Sequence, residues 1–294
     1  MTVPYKRVHV IINPAAGGNE PILNTLNDVF RRHQVEWDAS ITHRAGDATR
    51  HAREAIASGV DLVTGYGGDG TQMEVLNGVI DSDTPMAILP GGTGNAMAFE
   101  LKIPRGLKEA AELICQSGQR RGVDIGRIED KYFFLRAYTG LGDELGPSRE
   151  MKDRHGLLAY PAAALRELPY PQVAHYHITI DGEDIEIEGL SCFVANVGTL
   201  GGVNLPSPPV IDASDGMLDI FVAGKSRRPL RTFGTYVLNV GDKAEAGIQH
   251  WKGREIKIRA DPPQEVAVDG EPTSFQTPVE IAVVPQAVQV VVPT

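Results

Sequence analysis

Only two cysteines, Cys115 and Cys192, occur in 294 residues. That is too few for a disulfide framework and fits a chain kept in a reducing compartment. No apolar run approaches the roughly 18 residues that a membrane-spanning helix needs. The opening MTVPYKRVHVIINP lacks the apolar core and small-residue cleavage site of a secretion signal. Basic residues are also scarce. With 28 Lys and Arg against 38 Asp and Glu, the formal net charge is −10, which excludes broad nucleic-acid binding. The same charge repels an anionic bilayer except where basic residues cluster locally. There is no Gly-x-x-x-x-Gly-Lys-[Ser/Thr] loop, no strand-linked Gly-x-Gly-x-x-Gly and no internal repeat. The absences together describe an acidic cytoplasmic protein without a transmembrane segment.

What is present divides into two patterns. Up to about residue 125, strand-like and helix-like segments alternate: Val8–Ile12, Ile22–His33, Val35–Thr42, Asp47–Ser58, Asp61–Thr64, Gln72–Ile80, Met86–Leu89 and Gly106–Ser117. Such alternation predicts a doubly wound, mostly parallel α/β domain over residues 1–125, its sheet covered on both faces. From 126 to 294, short segments with Gly/Pro turns predict an antiparallel β-sandwich-like domain. Strands are expected at 132–138, 175–180, 185–188, 191–197, 218–222, 255–259, 265–268, 279–284 and 287–292. Helices are expected near 150–168 and 229–240.

In open parallel sheets ligands collect beyond the C-terminal strand ends. Three glycine-rich stretches fall there: 13-NPAAGG-18, 65-GYGGDGT-71 and 90-PGGTGN-95. Glycine between a strand and a helix lets backbone N–H groups approach an anion without Cβ interference, at the positive end of the helix. One such loop also reads as a plain turn; three at one sheet edge indicate a nucleotide site. Asp69 would repel phosphates unless a cation such as Mg²⁺ lies between them. It also suits the cap of a helix beginning near Thr71. In 268-VDGE-271, Asp269-Gly270 reads in isolation as a hairpin turn. The functional alternative for Asp269 is a general base that takes the proton of an attacking hydroxyl.

The set 13-NPAAGG-18, 67-GGDGT-71 with Glu74-Val75 and Asn77-Gly78, 90-PGGTGN-95, 215-DGMLDI-220 and 268-VDGE-271 resembles the bacterial diacylglycerol kinase-like lipid kinases. Their catalytic region is shared with sphingosine and ceramide kinases. The motifs span residues 13 to 271, although GGDGT alone also occurs in NAD kinases and 6-phosphofructokinases. The resemblance implies an ATP- and Mg²⁺-dependent transfer of the γ-phosphate to a lipid hydroxyl, on a diacylglycerol or sphingosine-like acceptor met peripherally at the inner membrane face. It implies ATP contacts at Asn13, Thr42, Gly67, Gly68, Asp69, Gly70, Thr71, Gly92, Thr93, Gly94 and Asn95. Asp269 matches the base and Glu271 its supporting acid, with Asp69 a rival base. Asp212, Asp215 and the Met217 carbonyl match a structural Mg²⁺ site of some bacterial members. In isolation 212-DASDG-216 reads as a solvated turn.

Departures from the family pattern are Ala96, where an acid is usual, Met73, where Asn is usual, and the absence of a final helix after 284–293. The first two keep alive a nucleotide-sensing protein without turnover; shared GGDGT keeps alive an NAD kinase. A homodimer is left open. His175 and His177 share one strand face and read as exposed histidines before they read as metal ligands. The basic run 225-KSRRPLR-231 reads as a solvated helix start or as a bilayer contact.

Overall fold

The computed structural model describes residues 3–18, 20–140, 173–200, 203–204, 211–224 and 248–294, with backbone alone at 199–200 and 203–204. The helices expected near 150–168 and 229–240 and the basic run 225–231 lie outside the described residues. The chain divides into two compact units, Met1–Val123 with Gln286–Thr294, and Asp124–Pro285.

In the first unit, β1 (Arg7–Ile12), β2 (Glu36–Ile41), β3 (Leu62–Gly67) and β4 (Met86–Pro90) are parallel in the order β2-β1-β3-β4. Every residue of β3 and β4 is buried. Runs such as Leu62-Val63-Thr64 and Met86-Ala87-Ile88-Leu89 are continuous rather than alternating because helices cover both faces. Those helices are α1 (Ile22–Arg32), α2 (Asp47–Ala57), α3 (Asp69–Val79), the short α4 (Ala96–Glu100) and α5 (Leu107–Gln116). Helix α1 packs with α5, and α2 with α3.

Three segments differ from the sequence expectation. Strand β3 runs on through Gly65 and Gly67, and α3 begins at Asp69, so Gly68 alone makes the turn. Gly67 is required because a Cβ there would overlap the Thr71 side chain folding back from α3. The last nine residues belong to the first unit rather than the second. Strand β17 (Val279–Val291) pairs in parallel with β4 at Val290↔Met86.

Close packing also sets a residue of α3. A Cβ on Gly78 would overlap the Ala52 Cβ and lie 2.9 Å from the Thr49 carbonyl oxygen, both on α2. Alanine would gain about 1 kcal/mol of helix propensity but pry the helices apart at up to about 3 kcal/mol. Gly78→Ala is expected to lower stability by about 2 kcal/mol net. A urea melt with an unchanged midpoint would refute this.

The second unit is antiparallel. Strands β7 (Arg136–Thr139), β8 (Ala174–Ile180), β9 (Glu183–Ala195), β14 (Glu255–Asp261), β15 (Glu265–Val268) and β16 (Glu271–Gln276) follow the order β16-β15-β7-β9-β8-β14-β17. The expected strands 185–188 and 191–197 are one strand, β9. Its first half pairs with β8, its second with β7 and with β12 (Leu218–Gly224). Continuity runs through Gly189, where a Cβ would lie 2.5 Å from a Val222 methyl. Strand β13 (Ile248–Gly253) extends the sheet from β12. β5 (Arg120–Ile128) pairs with β6 (Lys131–Phe133), and β10 (Thr199–Leu200) with β11 (Val203–Asn204). Ile128, Phe133, Tyr176, Ile178, Val194, Leu218, Ile220, Ile256 and Ile281 fill the core of this sandwich-like unit. The expected fold class, parallel α/β followed by an antiparallel β-sandwich-like part, is borne out.

Candidate functional site

In the first unit the register Ile12↔Tyr66 and Gly67↔Pro90 brings three strand ends to one level. The three glycine-rich stretches are then joined directly. The Asn13 N–H donates to the Tyr66 carbonyl at 2.9 Å, Gly17 N–H to the Gly91 carbonyl at 2.5 Å, and Gly91 N–H to the Gly67 carbonyl at 2.9 Å. Gly68 and Gly92 meet backbone to backbone: a Cβ on Gly92 would lie 2.5 Å from the Gly68 Cα. Asn13 reaches across as well, its Nδ2 donating to Thr71 Oγ1 at 3.1 Å while its Oδ1 accepts from Ala15 N–H. Asn95, with φ +49°, accepts from Gly92 N–H at 2.9 Å and donates back to the Gly92 carbonyl at 2.6 Å. Thr42 is buried at the end of β2, its N–H bonded to the Ile12 carbonyl. Thr93 is exposed at the tip of its loop.

Asp69 does not cap its own helix. Helix α3 has no side-chain cap, so its first-turn N–H groups are left available. Asp69 Oδ1 instead accepts the Met97 N–H at 3.1 Å, tying the start of α3 to α4. Among the described residues no hydrogen bond or ion pair engages Oδ2, and a Cβ on Gly94 would lie 3.2 Å from it. One carboxylate oxygen thus stays open beside a helix N-terminus, a donor set that fits a Mg²⁺ shared with phosphate oxygens.

Gly70 is the informative glycine. It is helical and exposed, its φ is not positive, and nothing lies within 4 Å of where its Cβ would be. Among the described residues, nothing in the fold requires glycine there. The missing side chain leaves a clear approach to unpaired N–H groups, the arrangement an anion uses.

Sequence reasoning missed several groups that shape this site. Tyr66 is fully buried between the first and third loops; a Cβ on Gly91 would lie 2.9 Å from its ring, and one on Gly17 would overlap its hydroxyl. The Tyr66 OH donates to Glu20 Oε2 at 3.1 Å, and burial, followed by the Glu20 charge, pushes the phenol up to about 12. A lone tyrosine among glycines carries no pattern that announces this. Asp47 accepts from the His43 and Arg44 N–H groups and pairs with Arg50. The His43 N–H above all pulls its carboxyl down to about 2. Glu74 Oε2 accepts the Ala48 N–H, joining α2 to α3.

In the second unit Asp269-Gly270 is a two-residue hairpin turn between Val268 and Glu271, with φ +50° and +86°. The Asp269 carboxylate accepts three backbone N–H groups, from Phe134 at 2.9 Å and from Leu135 and Arg136 at 2.8 Å each. These bonds fix its orientation, and burial nonetheless pushes the carboxyl up to about 6. Glu271 is exposed, its side chain without a hydrogen-bond or ion-pair partner among the described residues, and the bonds Asp269 accepts come from the 134–136 backbone. His175 and His177 form exposed pairs with Glu188 and Glu186 across β8 and β9, not a metal site.

Asp212, Asp215 and Met217 do not form an open cation site. Asp215 Oδ1 accepts the Met217 N–H at 3.0 Å, and its Oδ2 holds the Lys252 ammonium at 2.8 Å. A divalent ion would have to lie beside an ammonium on the same carboxylate, so this donor set does not fit one. Among the described residues, no group of three or more His, Cys, Asp or Glu side chains could hold a metal.

Comparison with known proteins agrees with this geometry. Residues 7–128 match the family model described as the diacylglycerol kinase catalytic domain. Residues 146–292 match the one described as the YegS C-terminal NAD kinase beta sandwich-like domain. The diacylglycerol kinase of Bacillus subtilis (strain 168) is 31% identical over 278 residues, covering 90% of each chain. The structure of a diacylglycerol kinase from Bacillus anthracis str. Sterne has 29% sequence identity and a TM-score of 0.81, covering 98% of each chain. With a catalytic-domain match in the first part, a sandwich-like match in the second, and a relative and a solved structure alike along nearly the whole chain, the protein belongs to the diacylglycerol kinase-like family of lipid kinases.

Proposed function

We propose that the protein transfers the γ-phosphoryl group of ATP to the hydroxyl of a membrane lipid of the diacylglycerol or sphingosine-like class. The observation that carries the nucleotide part is Gly70, a glycine with no structural need for being one, in front of uncapped helix N–H groups. Asn13, Thr42, Gly67 to Thr71 and Gly92 to Asn95 would orient the nucleotide. Mg²⁺ on the phosphates would be held by Asp69 Oδ2 and would neutralise charge on the transferring group. The lipid oxygen attacks the γ-phosphorus, the bridging oxygen departs with ADP, and Asp269 takes the hydroxyl proton. Support for that last role is the fixed orientation of the carboxyl and its raised proton affinity. The acceptor would be met by peripheral contact at the cytoplasmic membrane face.

A second reading has one observation in its favour, the NAD kinase-like description of the C-terminal family model. In it the acceptor hydroxyl belongs to NAD. Incubation with γ-labelled ATP against diacylglycerol and sphingosine in mixed micelles, and against NAD in solution, separates the two. Label is expected in a lipid and not in NAD; label in NAD alone would overturn the lipid assignment.

A base must be ionised to accept a proton. With its carboxyl raised to about 6, Asp269 makes activity fall as pH drops through that value and level off above it. The acid limb of kcat/KM is expected near that pH, about tenfold per unit below it. Asp269→Asn is expected to remove turnover while ATP binding persists. A variant that keeps both turnover and the limb would exclude Asp269 as the base.

A further inference from the structure

The cluster at 212-DASDGMLD-219 is organised around a cation that belongs to the chain. Strand β13 lies beside β12 with Lys252 opposite Asp219. The Lys252 ammonium is 2.8 Å from Asp215 Oδ2 and 3.4 Å from Asp219 Oδ2. Two residues earlier on the same strand, His250 Nε2 is 2.6 Å from Asp219 Oδ1, and its ring stacks on Phe221 at a centroid distance of 4.6 Å. Asp219 is 1% exposed, so its charge requires a partner. From the other side, Asp124 Oδ2 accepts the Gly216 N–H at 2.6 Å, and the Asp124 N–H donates to the Ala213 carbonyl. Asn196 Nδ2 in turn holds the Asp124 carbonyl at 2.7 Å.

We propose that the Lys252 ammonium takes the place of a divalent cation in this part of the second unit, joining Asp215 to Asp219 so that the 212–219 segment holds its shape without metal. A divalent ion bridging two carboxylates gives charge neutralisation and a fixed distance between them. Lys252 supplies both, and its anchoring on β13 places the charge with no ion taken from solution. The side chains of Lys252 and Asp215 are 29% and 32% exposed, so an ion could reach them. What keeps a divalent ion out is the positive charge already on Asp215 Oδ2.

The test uses the full chain without nucleotide. Thermal melts of the wild type are expected to coincide in EDTA and in millimolar MgCl₂. Spin-resonance titration with Mn²⁺ is expected to show no bound ion that Asp215→Asn removes. Lys252→Met keeps the bulk of the side chain and discards its charge. Its melting temperature is expected to fall in EDTA, to recover by at least half in MgCl₂ or MnCl₂, and to be accompanied by one new Mn²⁺ site. A wild type whose melt depends on metal, or which binds a Mn²⁺ that Asp215→Asn releases, would overturn the proposal. So would a Lys252→Met protein as stable in EDTA as the wild type, or one that metal does not restore. If that variant does not fold, the wild-type Mn²⁺ titration decides the matter.

Discussion

Gly70→Ala is expected to leave the protein at least as stable as the wild type and to cost it most of its ATP affinity. Those two effects seldom coincide, because a loop glycine usually answers to the fold. Here the residue is helical, without positive φ, and the volume of the new methyl is empty. Alanine in a helix is favoured over glycine by up to about 1 kcal/mol. The methyl would stand in front of the first-turn N–H groups that the proposed phosphate needs. Losing two charge-assisted hydrogen bonds at about 1.5 kcal/mol each weakens binding by roughly 100-fold. Gly92→Ala is the contrasting case. Its methyl would strike the Gly68 backbone, so stability and ATP affinity should fall together. Calorimetric titration with ATP and a thermal melt on both variants would resolve the pair. Normal ATP affinity in Gly70→Ala would reduce the stretch to a turn.

Asp69→Asn is expected to fold normally and to lose about 10²–10³ in kcat. The amide oxygen can still accept the Met97 N–H, so the tie between α3 and α4 persists. What disappears is the negative charge at the open oxygen, and with it the proposed hold on Mg²⁺. ATP affinity should then no longer rise when Mg²⁺ is added. Asp69→Ala goes further and leaves the Met97 N–H without its acceptor, at a cost of about 1–3 kcal/mol. A melt that separates the alanine from the asparagine variant would verify that structural share. Full turnover in Asp69→Asn would place the metal-holding charge elsewhere.

Much of the first unit was legible from the chain because its central strands are buried on both faces. Leu62-Val63-Thr64 and Met86-Ala87-Ile88-Leu89 lack the polar alternation of a half-exposed strand, and they run into Gly65 and into Pro90-Gly91. The junction of the three loops was legible only as a coincidence of position. Its bonds run between residues far apart in the chain, from 24 positions for Gly67 with Gly91 to 74 for Gly17 with Gly91. Strand length in the second unit was read too short at β9 and β17, since Gly189 and Pro285 look like breaks. Gly189 is instead where a Cβ would strike the Val222 side chain of β12.

By itself the sequence determined the fold class, the family and the identity of the candidate site residues, because these depend on local periodicity and on short motifs contiguous in the chain. Only the tertiary structure decided what each polar group is bonded to. Asp69 serves α4 rather than its own helix, Asp269 is held by the 134–136 backbone rather than by Glu271, and Asp215 faces the ammonium of Lys252. The physical reason is the same in each case. A carboxylate is satisfied by whichever donor folding brings within about 3 Å, and in these three that donor lies 28, 134 and 37 residues away.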